Sequence, residues 1–331
     1  MGVSVTRFSH YFSSFYQLST RFLLSSEFRP TTVRTYRTAF SSFFCWMSAM
    51  GISAPLREHV VSWKEFVKAT SSLGTAQTYL TAIKLFFKWT GQQGVYPDIA
   101  SSVKGVRVGR LPKKDFLAPD QVLSILNNAK EGKSPLRDYA IVFLMVTCGL
   151  RVSEVVHADV GDLQYVGGYP VLYVYGKGRD GKTDSVNVPK KVAAAIYQYL
   201  ATRSDLAANS PLFAAISKNN DGGRLTSRSI SRIVKNLLLR SGLDSDRMTA
   251  HSLRHTAVTI SLKAGATLQQ VQQFARHSLI VTTQIYAHNL ESRNNPCSNK
   301  IARLLLKCDR EAKRKAKEEK EMCRSDMSGM D

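Results

Sequence analysis

The sequence predicts a mainly α-helical protein of two domains, with a small antiparallel β-sheet in the second domain. Two segments near the N-terminus repeat one aromatic pattern at helical spacing, and further amphipathic segments follow a short basic stretch. In the second half, two β-rich runs flank a glycine-rich turn. At 331 residues the chain is long enough for two hydrophobic cores, and its apolar fraction of 44% argues against disorder.

The aromatic pattern near the N-terminus is an internal repeat. Residues 32–46 and 75–89 share the pattern Thr-x-x-Thr-Tyr-x-Thr-Ala-x-x-x-Phe-Phe-x-Trp. In each copy the tyrosine, the residue four positions later and the paired phenylalanines lie three or four residues apart, which places them on one helical face. We therefore predict two helices of one design within a helical domain over residues 1–100.

Basic residues lie off this apolar stripe and along the segment that follows it. Residues 101–115 contain five basic residues, two glycines and a proline, with little helical periodicity, which predicts a linker. The alternative for these basic residues is a solvated surface without a binding role. We expect the following to contact phosphates: Arg34, Arg37, Lys84, Lys88, Lys104, Arg107 and Arg110.

The charge of the chain favours a polyanionic partner. The net charge is +21, with 13 Lys and Arg against 4 Asp and Glu in residues 1–110, and 33 against 21 in the remainder. Both parts would therefore attract nucleic acid. An acidic membrane surface fits less well, because no segment approaches the ~18 consecutive apolar residues of a spanning helix.

The cysteines argue against a disulfide framework and against a zinc site. Five cysteines are present, an odd number, and none forms a Cys-x-x-Cys pair. This usage suits a reducing compartment, and no secretory signal opens the chain, so we expect a cytoplasmic protein.

The second domain is expected to begin with helices and then turn to strands. A helix should start at Ala118-Pro119-Asp120, a buried helix should run from Tyr139 to Cys148, and another should begin around Leu150. Residues 171–175 and 185–189 are predicted to pair as strands on either side of a basic hairpin tip. Further helices are expected near 190–203, 227–241, 252–264 and 267–275.

The last third of the chain concentrates side chains that bind or attack phosphate. His251 and Arg254 are three residues apart, so both can face one oxyanion from one helix. A guanidinium matches phosphate oxygens, a histidine can carry a proton near neutral pH, and a phenol can attack phosphorus once deprotonated. With His277 nine residues before Tyr286, the set predicts phosphoryl transfer.

Four motifs resemble the tyrosine recombinases, the integrase and Xer-type family. They are Thr-Cys-Gly-Leu-Arg-Val-Ser-Glu at 147–154, Gly-Lys-Gly at 176–178, His-Ser-Leu-Arg-His at 251–255, and the His277–Tyr286 pair. Their order and spacing match over residues 111–290, and the aromatic helices before them resemble the core-binding domain of that family. The Arg…His-x-x-Arg…His…Tyr set is specific, because five polar residues must fall in order.

The resemblance implies a domain plan. Residues 1–100 would form a SAM-like helical core-binding domain, 101–115 a basic linker, and 116–295 the catalytic domain with its small sheet. Residues 296–331 would form a subunit-coupling segment and a charged tail.

The resemblance also implies a site and a reaction. The implied catalytic residues are Arg151, Lys177, His251, Arg254, His277 and Tyr286, with Glu154 in an orienting role. The tyrosine would form a 3′-phosphotyrosine link and release a 5′-hydroxyl, without ATP, a metal ion or another cofactor. The two arginines would hold the non-bridging oxygens and the lysine would protonate the leaving oxygen. The first histidine would act as acid and base toward the tyrosine, and the second would hydrogen-bond the phosphate.

Two departures from the family pattern affect these expectations. The hairpin after Lys177 is longer than the usual short turn and offers Lys182 as a second candidate for the general acid. Arg276 stands where the family often has glycine, which would add a positive charge near the phosphate. We assign His255 and His288 to structural roles.

The implied partners are double-stranded DNA with inverted-repeat core sites and further copies of the chain in a tetrameric synapse, to which a directionality or accessory factor could be added. Such an enzyme would integrate or excise a mobile element, or resolve replicon dimers. Two alternatives remain: a DNA-binding accessory protein without catalytic activity, and an enzyme like the type IB topoisomerases. For Arg151 and Glu154 alone, a surface ion pair is the alternative.

Overall fold

The computed structural model describes residues 4–107, 115–176, 181–204, 206–216, 221–293, 299–308, 310, 311 and 313. The chain divides into two compact units, Met1–Arg110 and Leu111–Asp331. It is mainly helical with a small antiparallel sheet, as the sequence predicts. Among the described helices, none is both long and apolar enough to cross a membrane.

The described part of the N-terminal unit is a helical bundle. Its helices are α1 (Ser4–Ser25), α2 (Pro30–Ala49), α3 (Arg57–Thr70) and α4 (Leu73–Gln92). The two repeat copies form α2 and α4, which confirms the prediction from the aromatic pattern. Each copy is followed, five residues later and just beyond the helix, by a glycine with positive φ, Gly51 at 68° and Gly94 at 66°. That conformation suits glycine, which has no Cβ to clash.

The aromatic stripe forms the core of this unit. Phe43 and Phe87 are completely buried, and the Phe43 ring meets the Trp63 ring of α3 edge to face with centroids 5.2 Å apart. Burying such side chains contributes about 1.5–3 kcal/mol each relative to exposure. The side chain of Ser72 accepts a hydrogen bond from Thr75 N at 3.1 Å and so caps the start of α4.

The first part of the expected linker packs against this core. Val103 is buried and Val106 packs beside it. Gln77 Oε1 accepts the backbone N–H of Val106 at 2.6 Å. Residues 101–107 therefore pack on the core through apolar side chains, although the basic composition of the segment predicts a linker. Residues 108–114 lie outside the described ranges.

The C-terminal unit surrounds a second core. Its described helices are α5 (Pro119–Ala129), α6 (Pro135–Cys148), α7 (Val152–His157), α8 (Lys190–Leu200), α9 (Ser227–Arg240), α10 (Ala250–Lys263), α11 (Leu268–Ala275) and α12 (Ile280–Arg293). Helix α6 is the most apolar of the group and is buried along most of its length, including Ile141 and Leu144. The predicted helices near 190–203, 227–241, 252–264 and 267–275 are confirmed within a few residues.

The sheet contains one strand more than the sequence predicts. Its described strands are β1 (Leu163–Val166), β2 (Tyr169–Val174) and β3 (Asp184–Asn187), antiparallel in the order β1-β2-β3. Leu172 pairs with Leu163 on one side and with Val186 on the other. Strand β1 escapes prediction because it is four residues long and largely exposed, so it has no apolar alternation.

Candidate active site

The turn between α6 and α7 forms the floor of the site. Gly149 ends α6 with a φ of 60°, and a Cβ added there would lie 3.0 Å from Cε1 of Phe274. The left-handed backbone and the close approach of that ring both favour glycine at this position. The turn leads directly to Arg151, the N-cap residue of α7.

Arg151 is held by the acidic residue one turn further along α7. Glu154 Oε2 accepts the backbone N–H of Arg151 at 2.7 Å, and Glu154 Oε1 accepts from Arg151 Nη1 at 2.5 Å. Glu154 is only 3% exposed, so the pair is not the surface ion pair considered above. Burial raises the pKa of Glu154, but Arg276 and Arg151 outweigh that effect, and the pKa is lowered.

Helix α10 presents His251 and Arg254. Arg254 is 2% exposed, and its guanidinium donates to the carbonyl oxygens of Gly149, at 2.6 Å, and Ala275. Burial, with the positive charge of Arg151, lowers its pKa to about 10. The group therefore remains a cation at neutral pH, fixed in place by backbone oxygens.

His277 lies just beyond the end of α11. Its Nδ1 is 2.9 Å from Oγ1 of Thr283, a fully buried hydroxyl in the first turn of α12. Burial first, and then Arg254 and Arg151, lower the pKa of His277 to about 4. The imidazole is consequently neutral at pH 7, since protonating it would bury another positive charge beside the arginines.

Tyr286 projects from α12 into the same region. It packs on a small cluster of α10 and α11 formed by Val258, Val271 and Ala275. Its ring centroid lies 5.1 Å from that of His255 and 6.3 Å from that of His277. Burial raises its pKa to about 12, although the charge of Arg254 acts in the opposite direction. The phenol is therefore protonated at neutral pH and needs a base to become a nucleophile.

These residues line one cleft of about 800 Å³. Of the six expected catalytic residues, the cleft brings together Arg151, His251, Arg254, His277 and Tyr286. Small polar side chains line much of the rest, together with one carboxylate: Ser153, Thr183, Asp184, Ser185, Ser278 and Thr282. Arg276 also lines the cleft. A cleft with three guanidiniums, two imidazoles and a phenol can bind a phosphodiester and exchange one of its ester oxygens.

Of the two lysine candidates for the general acid, the structure describes only Lys182. Lys177 lies outside the described residues. Lys182 is committed to ion pairs: its Nζ donates to Asp159 Oδ2 at 2.5 Å and to Asp162 Oδ2. Asp159 also pairs with Arg224. This network holds the base of the hairpin. It also keeps the Lys182 amine in ion pairs, whereas a general acid would have to reach the leaving oxygen.

The sequence did not reveal three contacts within the site. Arg276 pairs with Glu154 at 2.8 Å, so the added positive charge lies against a buried carboxylate. Thr283 hydrogen-bonds His277, a contact for which the sequence carried no signal. His255, expected to be structural, lies between His251 and Tyr286, with ring centroids 4.6 Å and 5.1 Å away. His288 is in α12, but its side chain is outside the described set.

The basic residues expected to contact phosphates lie in the N-terminal unit. Lys84 is half-buried and donates to the carbonyl oxygen of Ser101 at 3.2 Å. Arg110 is outside the described residues. The others are exposed to solvent: Arg34, Arg37, Lys88, Lys104 and Arg107.

The described ranges hold no group of three or more His, Cys, Asp or Glu side chains arranged to bind a metal ion. The positive charges that face the cleft are supplied by arginine side chains.

Known proteins resemble this chain in sequence. Residues 115–293 match the model of the phage integrase family. The chain is 35% identical to tyrosine recombinase XerC of Actinobacillus pleuropneumoniae over 179 residues, 54% of this chain and 55% of that protein. It is 34% identical to tyrosine recombinase XerD of Mycobacterium tuberculosis over 196 residues, 57% of this chain and 61% of that protein. The chain thus spans little more than half the length of these curated relatives.

Solved structures share the fold. The XerH site-specific recombinase bound to palindromic difH substrate, in a post-cleavage complex, aligns with a TM-score of 0.68 and 19% identity over 80% of this chain and 78% of that chain. A lambda integrase dimer bound to a COC′ core site aligns with a TM-score of 0.64 and 16% identity over 82% of this chain and 96% of that one.

Proposed function

Because the chain belongs to the phage integrase family, we propose that it is a site-specific DNA recombinase that cleaves and rejoins DNA through a 3′-phosphotyrosine intermediate. The observation that carries the proposal is the cleft in which Tyr286 faces two arginines. Arg151 is fixed by Glu154, and Arg254 is fixed by backbone carbonyls.

Tyr286 is the nucleophile. Its oxygen attacks the phosphorus, and the new bond forms as the bond from phosphorus to the 5′-oxygen breaks. Since burial raises the pKa of Tyr286 to about 12, a base must take the phenolic proton at neutral pH. His251, on the cleft wall, receives it and returns it in the reverse step. The energy of the ester bond is kept, so rejoining needs no ATP.

Arg151 and Arg254 stabilise the charge that builds on the non-bridging oxygens. One preorganised donor of this kind is commonly worth ~3 kcal/mol in the transition state. His277 adds a neutral hydrogen bond. Its pKa is lowered to about 4 and its Nδ1 lies 2.9 Å from the Thr283 hydroxyl oxygen. In the tautomer protonated at Nε2, Nδ1 accepts from that hydroxyl and Nε2–H donates to the phosphate. Lys177 protonates the leaving 5′-oxygen.

Double-stranded DNA with inverted-repeat core sites is the substrate. The net charge of +21 favours it, since each phosphate neutralised releases a counterion. The exposed basic residues of the N-terminal unit bind the backbone, with Arg34 and Arg37 on α2 and Lys88 on α4. The protein acts in the cytoplasm, in agreement with the free cysteines of the described ranges, Cys45, Cys148 and Cys308. Its task is the integration or excision of a mobile element, or the resolution of replicon dimers.

The proposal is tested by trapping the intermediate. The protein is incubated with the genomic DNA that flanks its gene, and the product is digested with a protease. Mass spectrometry identifies the DNA-linked peptide, and sequencing identifies the DNA at the junction. We expect a single 3′-phosphate ester on the peptide that contains Tyr286. Binding without any adduct would indicate an accessory protein, and relaxation of plasmids that lack a specific site would indicate an enzyme like the type IB topoisomerases.

The segment after α12 joins subunits. Residues 299–308 are helical, and the side chains of Ile301, Leu304, Leu305 and Leu306 are 58–64% exposed. The alternative is that this apolar patch packs on its own domain, but these four side chains are exposed in the described structure. Burying each leucine in an interface would stabilise the assembly by about 1.5–3 kcal/mol. The partner is a second copy of the chain bound to the same DNA.

Truncation after Arg293 is expected to leave a protein that binds a half-site but fails to form the four-subunit synapse. The cut keeps α12, which carries the tyrosine, intact. Native gels with labelled full sites measure assembly. A full-length Leu304→Gln, Leu305→Gln variant should show the same defect, whereas Lys307→Gln should assemble normally. Normal assembly and recombination by the truncated protein would refute subunit coupling.

A further inference from the structure

Arg276 occupies a backbone position that disfavours its side chain. It follows the last residue of α11 with φ 51° and ψ 47°, and it is the only described non-glycine residue with a positive φ. An L-residue with a Cβ pays a steric cost in this left-handed region, whereas glycine does not. Among the described side chains its Nε is also the buried polar atom that lacks a hydrogen-bond partner. Two unfavourable features at one residue suggest a functional reason for keeping it.

The contacts of the Arg276 side chain explain what it does. Its side chain is 9% exposed, and Nη2 donates to Glu154 Oε2 at 2.8 Å. Nη1 donates to the carbonyl oxygen of Phe274 at 2.9 Å, which ties the guanidinium to its own helix end. The side chain therefore joins the C-terminus of α11 to the first turn of α7.

Main-chain and side-chain bonds close a ring around Arg151. Arg151 Nη1 donates to Glu154 Oε1 at 2.5 Å, the other carboxylate oxygen accepts from Arg276, and Arg151 Nη2 donates back to the Arg276 carbonyl oxygen at 3.3 Å. The neighbouring carbonyl, that of Ala275, accepts from Arg254. The end of α11 thus positions Arg151 and Arg254, which line the cleft together with Arg276.

The charges in this ring have a further effect. Without Arg276, the buried Glu154 carboxylate would pair with Arg151 alone and would compete with a phosphate for that guanidinium. With Arg276, one carboxylate oxygen is taken by a side chain that is itself almost buried. Arg151 is held in place while its charge stays available to the cleft.

We propose that Arg276 is a positioning residue that holds Arg151, through Glu154, in the geometry that binds the scissile phosphate. This inference rests on the proposed function. It concerns the rate of strand cleavage and leaves DNA affinity unchanged, because Arg276 is one of 46 Lys and Arg residues in a chain of net charge +21.

Three substitutions separate the side chain from the backbone strain. Arg276→Gly removes the side chain at a backbone angle that glycine adopts freely, so it should fold. Arg276→Met keeps side-chain length without charge, and Arg276→Lys keeps the charge. Arg247→Met, which removes an exposed arginine paired with Asp115, is the control for the loss of one positive charge.

Cleavage is measured in single turnover on a nicked core site that traps the covalent adduct, and affinity is measured by gel shift on the same DNA. We expect Arg276→Gly and Arg276→Met to cleave roughly 10- to 100-fold more slowly, as for a displaced catalytic group. Their affinity should stay within about twofold of wild type, and Arg276→Lys should recover most of the rate. Arg247→Met should cleave at the wild-type rate.

Two outcomes would overturn the role of Arg276. One is wild-type cleavage by Arg276→Gly, and the other is a rate for Arg276→Lys no higher than that for Arg276→Met. If the wild-type protein itself forms no tyrosine-linked adduct, the proposed function has failed and the role of Arg276 falls with it. An active wild type beside an equally active Arg276→Gly refutes only the positioning role.

Discussion

Tyr286→Phe is expected to abolish covalent attachment to DNA while DNA affinity stays within about twofold of wild type. The substitution removes the nucleophilic oxygen and keeps the ring. The contacts of that ring with His255 and His277, and its packing on Val258 and Val271, do not depend on the hydroxyl. The fold and the cleft should therefore persist without the reaction.

Denaturing gels with end-labelled DNA measure this loss, because only a covalent adduct survives denaturation. Tyr165→Phe is the matched control, since Tyr165 lies exposed on β1 and lines no part of the cleft. It should form the adduct at the wild-type rate. An adduct that persists in Tyr286→Phe would exclude Tyr286 as the nucleophile.

Lys177→Ala is expected to lose most cleavage of normal DNA, by about 10²- to 10⁴-fold, and to recover when sulfur replaces the bridging 5′-oxygen. The loss corresponds to the usual contribution of general acid catalysis. A thiolate leaves without a proton, so the sulfur substrate bypasses the missing acid. Recovery on the sulfur substrate distinguishes loss of the acid from a disturbed cleft, which would slow both substrates.

Lys182→Ala is the comparison that decides between the two lysines. Partial burial lowers the pKa of Lys182, but its hydrogen bonds to Asp159 and Asp162 outweigh burial and raise that pKa. A raised pKa makes the amine a weaker acid, and its ion pairs hold it at the base of the hairpin. We expect Lys182→Ala to lower thermal stability and to show no sulfur-specific recovery. If Lys182→Ala is rescued by sulfur and Lys177→Ala is not, the two roles must be exchanged.

Much of the fold follows from local patterns in the sequence. Helices α2 and α4 were predictable because an apolar stripe at three- and four-residue spacing can be buried only by a helix against a partner. The same holds for α9, whose apolar residues include the buried Val234 and Leu238. The short strand β1 was missed, because its pairing with β2 and not its own composition defines it.

The chemistry of the site could also be predicted from the sequence. Arg254 follows His251 by one helical turn. A guanidinium, an imidazole and the phenol of Tyr286 together point to phosphoryl transfer. The spacing of these residues along the chain is a property of the sequence. Their meeting in one cleft depends on α10, α11 and α12 packing against each other.

By itself the sequence determined the helical elements, the strong positive charge and the identities of the phosphate-binding candidates, because each depends on residue type and on neighbours within a few positions. Only the tertiary structure decided that Glu154 is buried between Arg151 and Arg276, that Thr283 orients His277 and that Lys182 is held by Asp159 and Asp162. The Glu154–Arg276 bond joins residues 122 positions apart. Such contacts arise when helices from distant parts of the chain pack together, and burial then sets which charges pair and how their pKa values shift.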